Sequence, residues 1–132
     1  MAAVLLDTTV LIDLLRGRSG ALARLRALRR TGDRPYVCAI NVEEVERGIR
    51  GEREGDAVTR LFDGLDSAPL GRTEGSQAGR WRRQFAEGGL TLSQADCLVA
   101  AAALGIGGRL ATGNPKDFPM AGLFVEHWPV GD

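Results

Sequence analysis

The sequence predicts an α/β fold, a three-layer α/β/α sandwich around a mostly parallel sheet. Three observations predict it. Short apolar runs of strand length alternate with segments of helical spacing. Turn residues such as Gly17, Gly51, Gly88-Gly89 and Gly105 to Gly108 separate them. Acids recur where predicted strands give way to helices, the edge at which open α/β sheets place their ligands.

Val4 to Leu6 read as a short buried strand that ends at Asp7. Val10, Leu11 and Leu14 then share one helical face, and Gly17 closes that helix. Ser19 is placed to cap a second helix, with Leu22, Leu25 and Leu28 inward and Arg24, Arg26, Arg29 and Arg30 outward. Tyr36 to Ile40 read as the second strand, and Asn41 as the cap of a helix that buries Val42, Val45 and Ile49. Ala57, Leu61 and Leu65 mark a further helix ending near Asp66. Ser67 to Leu70 form a short third strand despite Pro69. Thr73 opens the next helix, with Ala78, Trp81 and Phe85 at core spacing. Ser93 caps the most apolar helix, Cys97 to Leu104, which reads as buried nearly all round. Arg109 to Thr112 form a strand, Asn114-Pro115 open a short helical turn, and Leu123 to Glu126 form the last strand.

A chain of 132 residues that is 44% apolar suits one domain, residues 1–132, with one sizeable core. No apolar run approaches the roughly 20 residues that span a bilayer. No basic flank precedes the first apolar run, so no signal peptide is expected. Cys38 and Cys97 form no CxxC pair and read as buried thiols in a reducing cytoplasm. The 17 basic residues, all Arg but Lys116, balance 17 acids. Gathering several acids into one pocket would leave a mildly basic surface around it, the polarity a metal-dependent enzyme acting on nucleic acid needs.

Asp7, Glu44, Asp96 and Asp117 each lie at or just after a predicted helix start. Taken singly, each suits a cap: Asn41 to Glu44 and Ser93 to Asp96 both have capping-box spacing, and Asn114-Pro115-Lys116-Asp117 puts an acid in a first turn. Taken together, they should gather at the carboxyl edge of the sheet. Clustered carboxylates repel and raise one another's pKa, which a divalent cation relieves. Hard oxygen ligands suit Mg²⁺ or Mn²⁺, and too few His or Cys exist for zinc. His127 is the only histidine, which argues against a Ser–His or Cys–His nucleophile. No Gly-rich phosphate loop is present. What remains is metal-activated water acting on a phosphodiester.

These motifs resemble those of the PIN-domain ribonucleases. Val4 to Asp13 resembles the family's opening signature, Asn41 to Gly48 its second motif, Ala95 to Ala101 its third and Leu110 to Phe118 its fourth. The length resembles the toxin of a VapBC-type toxin–antitoxin pair. The resemblance implies a PIN-like fold and a Mg²⁺-dependent endoribonuclease, with Mn²⁺ able to substitute, acting on tRNA, mRNA or rRNA. It also implies a homodimer held inactive by a VapB-type antitoxin, through which promoter DNA is bound. Asp7, Glu44 and Asp96 would form the metal-binding core and Asp117 would complete it. Thr8, Thr112 and Asn114 would hydrogen-bond to the carboxylates and orient them. Asp13 reads equally as a solvent-facing acid or a cap. Asn41 stands where Ser or Thr is common, Val45 where Leu is common, and Gly113 where a larger residue is usual.

Other classes share the outline. A catalytically inactive RNA-binding module would keep the fold without the chemistry, but all four acids are retained. A phosphoacceptor receiver domain wants an acidic pair after its first strand, where Asp7 has Thr8 beside it. A haloacid-dehalogenase-like phosphatase wants an Asp where Thr9 stands.

Overall fold

The computed structural model describes residues 1–132. Its five strands are β1 (Ala3–Leu6), β2 (Arg34–Val37), β3 (Asp66–Ser67), β4 (Arg109–Thr112) and β5 (Val125–His127). They lie in the order β3-β2-β1-β4-β5, and every neighbouring pair is parallel. Six helices connect them: α1 (Thr8–Leu15), α2 (Ser19–Arg30), α3 (Ala39–Arg47), α4 (Glu52–Asp63), α5 (Arg72–Glu87) and α6 (Gln94–Gly105). A 3-10 turn, Pro115–Asp117, follows β4. No helix is long and apolar enough to cross a membrane.

The alternation of strand side chains explains the three layers. Leu5 and Leu110 point to the face covered by α5 and α6. Val4, Leu6, Val37 and Ala111 point to the other, where α1 to α4 supply Leu11, Leu25, Val45 and Val58. Helix α6 owes its close seat to Ala100 to Ala103, all essentially buried. Trp81 is buried against it as a core residue. At the start of β4, a Cβ on Gly108 would lie 2.5 Å from the Ala3 carbonyl oxygen, so only glycine lets the two central strands close there.

Several boundaries differ from the sequence expectation. Helix α3 starts at Ala39 with Cys38 as its cap, so Asn41 lies within the first turn, where its side chain reaches back to the Cys38 N–H instead of capping a helix that starts after it. Ser19 is the first residue of α2 rather than its cap. Strand β3 ends before Pro69: Ala68 donates the last ladder bond, to the Val37 carbonyl at 2.8 Å. Strand β5 begins at Val125, two residues later than expected, and leaves Phe124 exposed.

Away from the carboxyl edge, Asp33 accepts from the Ala2 N–H at 2.9 Å and pairs with Arg109 at 3.3 Å. Arg109 also pairs with Glu126 at 2.6 Å. The Ala2 hydrogen bond, then Arg109, hold the Asp33 carboxyl below the usual carboxylate range. A lowered folded value means stability present above the ordinary value of about 4 and lost as pH falls through the folded one. Asp33→Asn should therefore flatten the loss of stability below about pH 4, measured by thermal melts across that range. An unchanged slope would remove Asp33 as its source.

Candidate active site

The sheet order reverses between β1 and β4, and the carboxyl ends of these strands flank a crevice where ligands bind in open α/β sheets. Asp7 is the first residue after β1, and Thr112 is the last of β4. Thr112 Oγ1 donates to Asp7 Oδ2 at 2.7 Å. Asp7 also has extended backbone as the cap of α1, but its side chain makes no capping bond. The carboxylate is thereby left for the crevice.

The other acids are brought to the same edge by the helices that leave it. Glu44 lies one turn into α3 and accepts from Thr8 Oγ1 at 2.7 Å. It therefore does not reach back in a capping box. Asp96 sits in the first turn of α6, where its backbone N–H donates to Ser93 Oγ at 3.0 Å. That cap is as expected, and it uses the Asp96 backbone N–H, not its carboxylate. Asp117 ends the 3-10 turn and is exposed. Burial, and then the charges of Asp96 and Glu44, raise the Asp7 carboxyl against the lowering pull of Thr112 and the Thr8 backbone. Burial, and then the charges of Asp117 and Glu44, raise Asp96 against the Ser93 hydroxyl. The four acids thus share one electrostatic neighbourhood.

They are not drawn into a tight cage: no group of three or more His, Cys, Asp or Glu side chains closes to metal-holding distance. The donor chemistry nevertheless fits a hard divalent cation. Mg²⁺ dehydrates reluctantly, keeps several waters and is held through one or two carboxylates. The mutual repulsion of Asp7, Glu44, Asp96 and Asp117 is what such a charge would offset.

The supporting residues divide differently from the expectation. Thr8 and Thr112 do hydrogen-bond to carboxylates. Asn114 contributes its backbone N–H, to Thr112 Oγ1 at 3.1 Å, rather than its side chain. Thr9, not singled out from the sequence, accepts from the Gly113 N–H at 2.9 Å and ties α1 to the turn after β4. Asp13 is neither solvent-facing nor a helix cap. It is buried and accepts from the Gly131 N–H at 2.9 Å. Residues 128–132 form a strap: the Trp128 N–H donates to the Thr112 carbonyl at 2.9 Å, and Asp132 pairs with Arg24 at 2.9 Å. His127 is exposed on the edge strand. Beside the acids, α1, α3 and α4 enclose an apolar groove of about 280 Å³ lined by Ile12, Leu15, Val45 and Val58, with Glu44 also in its wall.

A parallel sheet with an acidic crevice at its switch point defines an α/β domain with a carboxylate-lined candidate site. The PIN domain model matches residues 4–120, and the chain belongs to that family. It is 28% identical over 116 residues to Ribonuclease VapC19 of Mycobacterium tuberculosis, covering 88% of this chain and 92% of that protein. Its fold is similar to VapBC2 from Rickettsia felis, solved bound to a DNA fragment from their promoter. That match has a TM-score of 0.85 at 19% identity and covers 96% of this chain and 98% of the other. DNA-bound VapBC from Salmonella typhimurium matches with a TM-score of 0.83 at 21% identity, over 97% and 99% of the two chains.

Proposed function

We propose that this chain is the toxin of a type II toxin–antitoxin pair, a Mg²⁺-dependent endoribonuclease in which Mn²⁺ can substitute. One observation carries the reading: Asp7, Glu44, Asp96 and Asp117, from four separate segments, interact electrostatically at the switch point of a PIN fold. Similarity to Ribonuclease VapC19 supports the same reading.

Asp7, Glu44 and Asp96 would hold the cation, with Asp117 completing the set. The bound cation supplies a water of lowered pKa and positive charge for the phosphoryl and leaving oxygens. Thr112 holds Asp7 by Oδ2, and Oδ1 takes only a longer contact from Asn41 Nδ2 at 3.5 Å. Thr8 fixes Glu44 in the same way. RNA would meet the acidic crevice from a surface whose basic residues are nearly all Arg, suited to phosphate. The chain acts as one domain over residues 1–132, in the cytoplasm and as a homodimer. A VapB-type antitoxin restrains it and contacts promoter DNA. The groove of α1, α3 and α4 shares Glu44 with the site, so a segment seated there also blocks the acids.

The test is cleavage of total RNA by antitoxin-free protein in Mg²⁺, in Mn²⁺ and in EDTA. Cutting that needs the metal is the expected result. Folded protein that neither binds the metal by calorimetry nor cuts the pool would support the inactive RNA-binding module instead.

A further inference from the structure

Asn41 is fully buried, and every polar atom of its side chain is engaged. Its Oδ1 accepts from the Cys38 backbone N–H at 3.3 Å and from the Cys38 thiol at 3.1 Å. Its Nδ2 donates to Thr8 Oγ1 at 3.1 Å and, by a longer arm, to Asp7 Oδ1 at 3.5 Å. The surroundings fix the amide's orientation. A flipped amide would set Nδ2 against the Cys38 N–H and Oδ1 against a carboxylate that only accepts. Thr8 Oγ1 accepts from Asn41, so its proton is free for Glu44 Oε1 at 2.7 Å. The bonds therefore run one way, from Cys38 through Asn41 to both Asp7 and, by way of Thr8, Glu44.

This side chain ties the end of β1 to the first turn of α3. A serine or threonine here has one proton to donate and a shorter reach. It cannot serve Asp7 and Thr8 together while accepting from Cys38. The amide thus gives this chain a two-pronged tether that a hydroxyl does not.

We propose that Asn41 is a positioning residue that sets the relative placement of Asp7 and Glu44, and thereby their affinity for a divalent cation, with the Cys38 thiol locking its amide. The affinity half rests on the metal-site reading above; the positioning half does not. Each has its own measurement. In metal-free protein, the side-chain carboxyl ¹³C signals of Asp7 and Glu44 should both move in Asn41→Ser and in Asn41→Asp. Those of Asp13 and Asp33, outside this chain of bonds, should stay. Asn41→Asp adds a buried charge and can unfold the protein, so the folded Asn41→Ser variant decides. Unmoved Asp7 and Glu44 signals in it overturn the proposal.

Calorimetry with Mg²⁺ reads the other half. Orienting partners of metal ligands typically cost 10- to 100-fold in affinity when removed, and a loss of about that size is expected in Asn41→Ser. Equal affinities with shifted carboxyl signals would overturn the affinity claim. If the wild-type protein binds no Mg²⁺, the metal-site reading falls with the affinity claim, and the carboxyl signals still decide the positioning claim. For the lock, Cys38→Ala should move the Asn41 side-chain amide resonances, while Cys38→Ser, which keeps a donor, should leave them near their wild-type places. Equal shifts in both variants overturn that part.

Discussion

Asp96→Asn is expected to lower RNA cleavage by at least about 100-fold and to raise the melting temperature of the metal-free protein by a few degrees. The activity loss follows from removing one carboxylate of the proposed set, a larger change than loss of an orienting partner at about 10–100-fold. The stability gain follows from the environment of Asp96. Ser93 caps α6 through the Asp96 backbone N–H, so the substitution keeps the cap while removing the carboxylate's charge. Two effects then compete. The Ser93 hydroxyl at the N-terminus of α6 favours the negative charge. Burial and the charges of Asp117 and Glu44 disfavour it, and the raised Asp96 carboxyl says that they win. Because the folded value lies above the ordinary one, the folded state binds more protons, and stability falls as pH rises from about 4 through the raised value. The variant escapes that loss. Melts in EDTA should therefore separate variant and wild type more at pH 7.5 than at pH 4. A variant that melts below wild type at pH 7.5, or that cuts like it, would count against the acidic-site reading.

The same competition explains why the acids were visible in the sequence while their supports were not. Asp7, Glu44, Asp96 and Asp117 stand where a strand or cap pattern breaks, and each break is local. Asn41 was misplaced because Tyr36 to Ile40 form one apolar run. The turn at Cys38, extended at φ −117° and ψ 169°, comes inside that run and leaves no polar marker. Moving the helix start by three residues turns Asn41 from an exposed cap into a buried hub. The layer order was legible because alternation of apolar runs survives boundary errors of that size. Pro69 carried the correction to the third strand in plain view: it has no N–H to extend the ladder. Asp13 had no such sign. Its partner Gly131 lies 118 positions away, and a single buried contact at that separation leaves no periodicity to read.

Gly113→Ala is expected to destabilise the protein by about 1–3 kcal/mol, the usual cost of forcing a methyl group into filled space. The position is crowded, not left-handed; its φ is not among the positive glycine values. An added Cβ would stand 2.3 Å from Val130 Cγ2, 3.2 Å from Thr9 Oγ1 and 3.3 Å from Thr9 Cβ. Neither neighbour gives freely. Thr9 is in α1 and holds the Gly113 N–H. Val130 is β-branched, stiff at χ1, and rides on a strap pinned beside it by Asp13. The strap must lift or the turn must shift, and the turn carries Thr112, which grips Asp7. Relieving the worst contact should therefore restore stability in the double variant. Val130 is largely exposed, so Val130→Ala alone should change little, while Gly113→Ala with Val130→Ala should recover most of the loss. The coupling between the two sites, measured by denaturant melts of all four proteins, should reach at least about 0.5 kcal/mol, the scale seen for residues in contact. Strict additivity would mean that the strap yields at no cost and does not hold the turn after β4 against the acidic crevice.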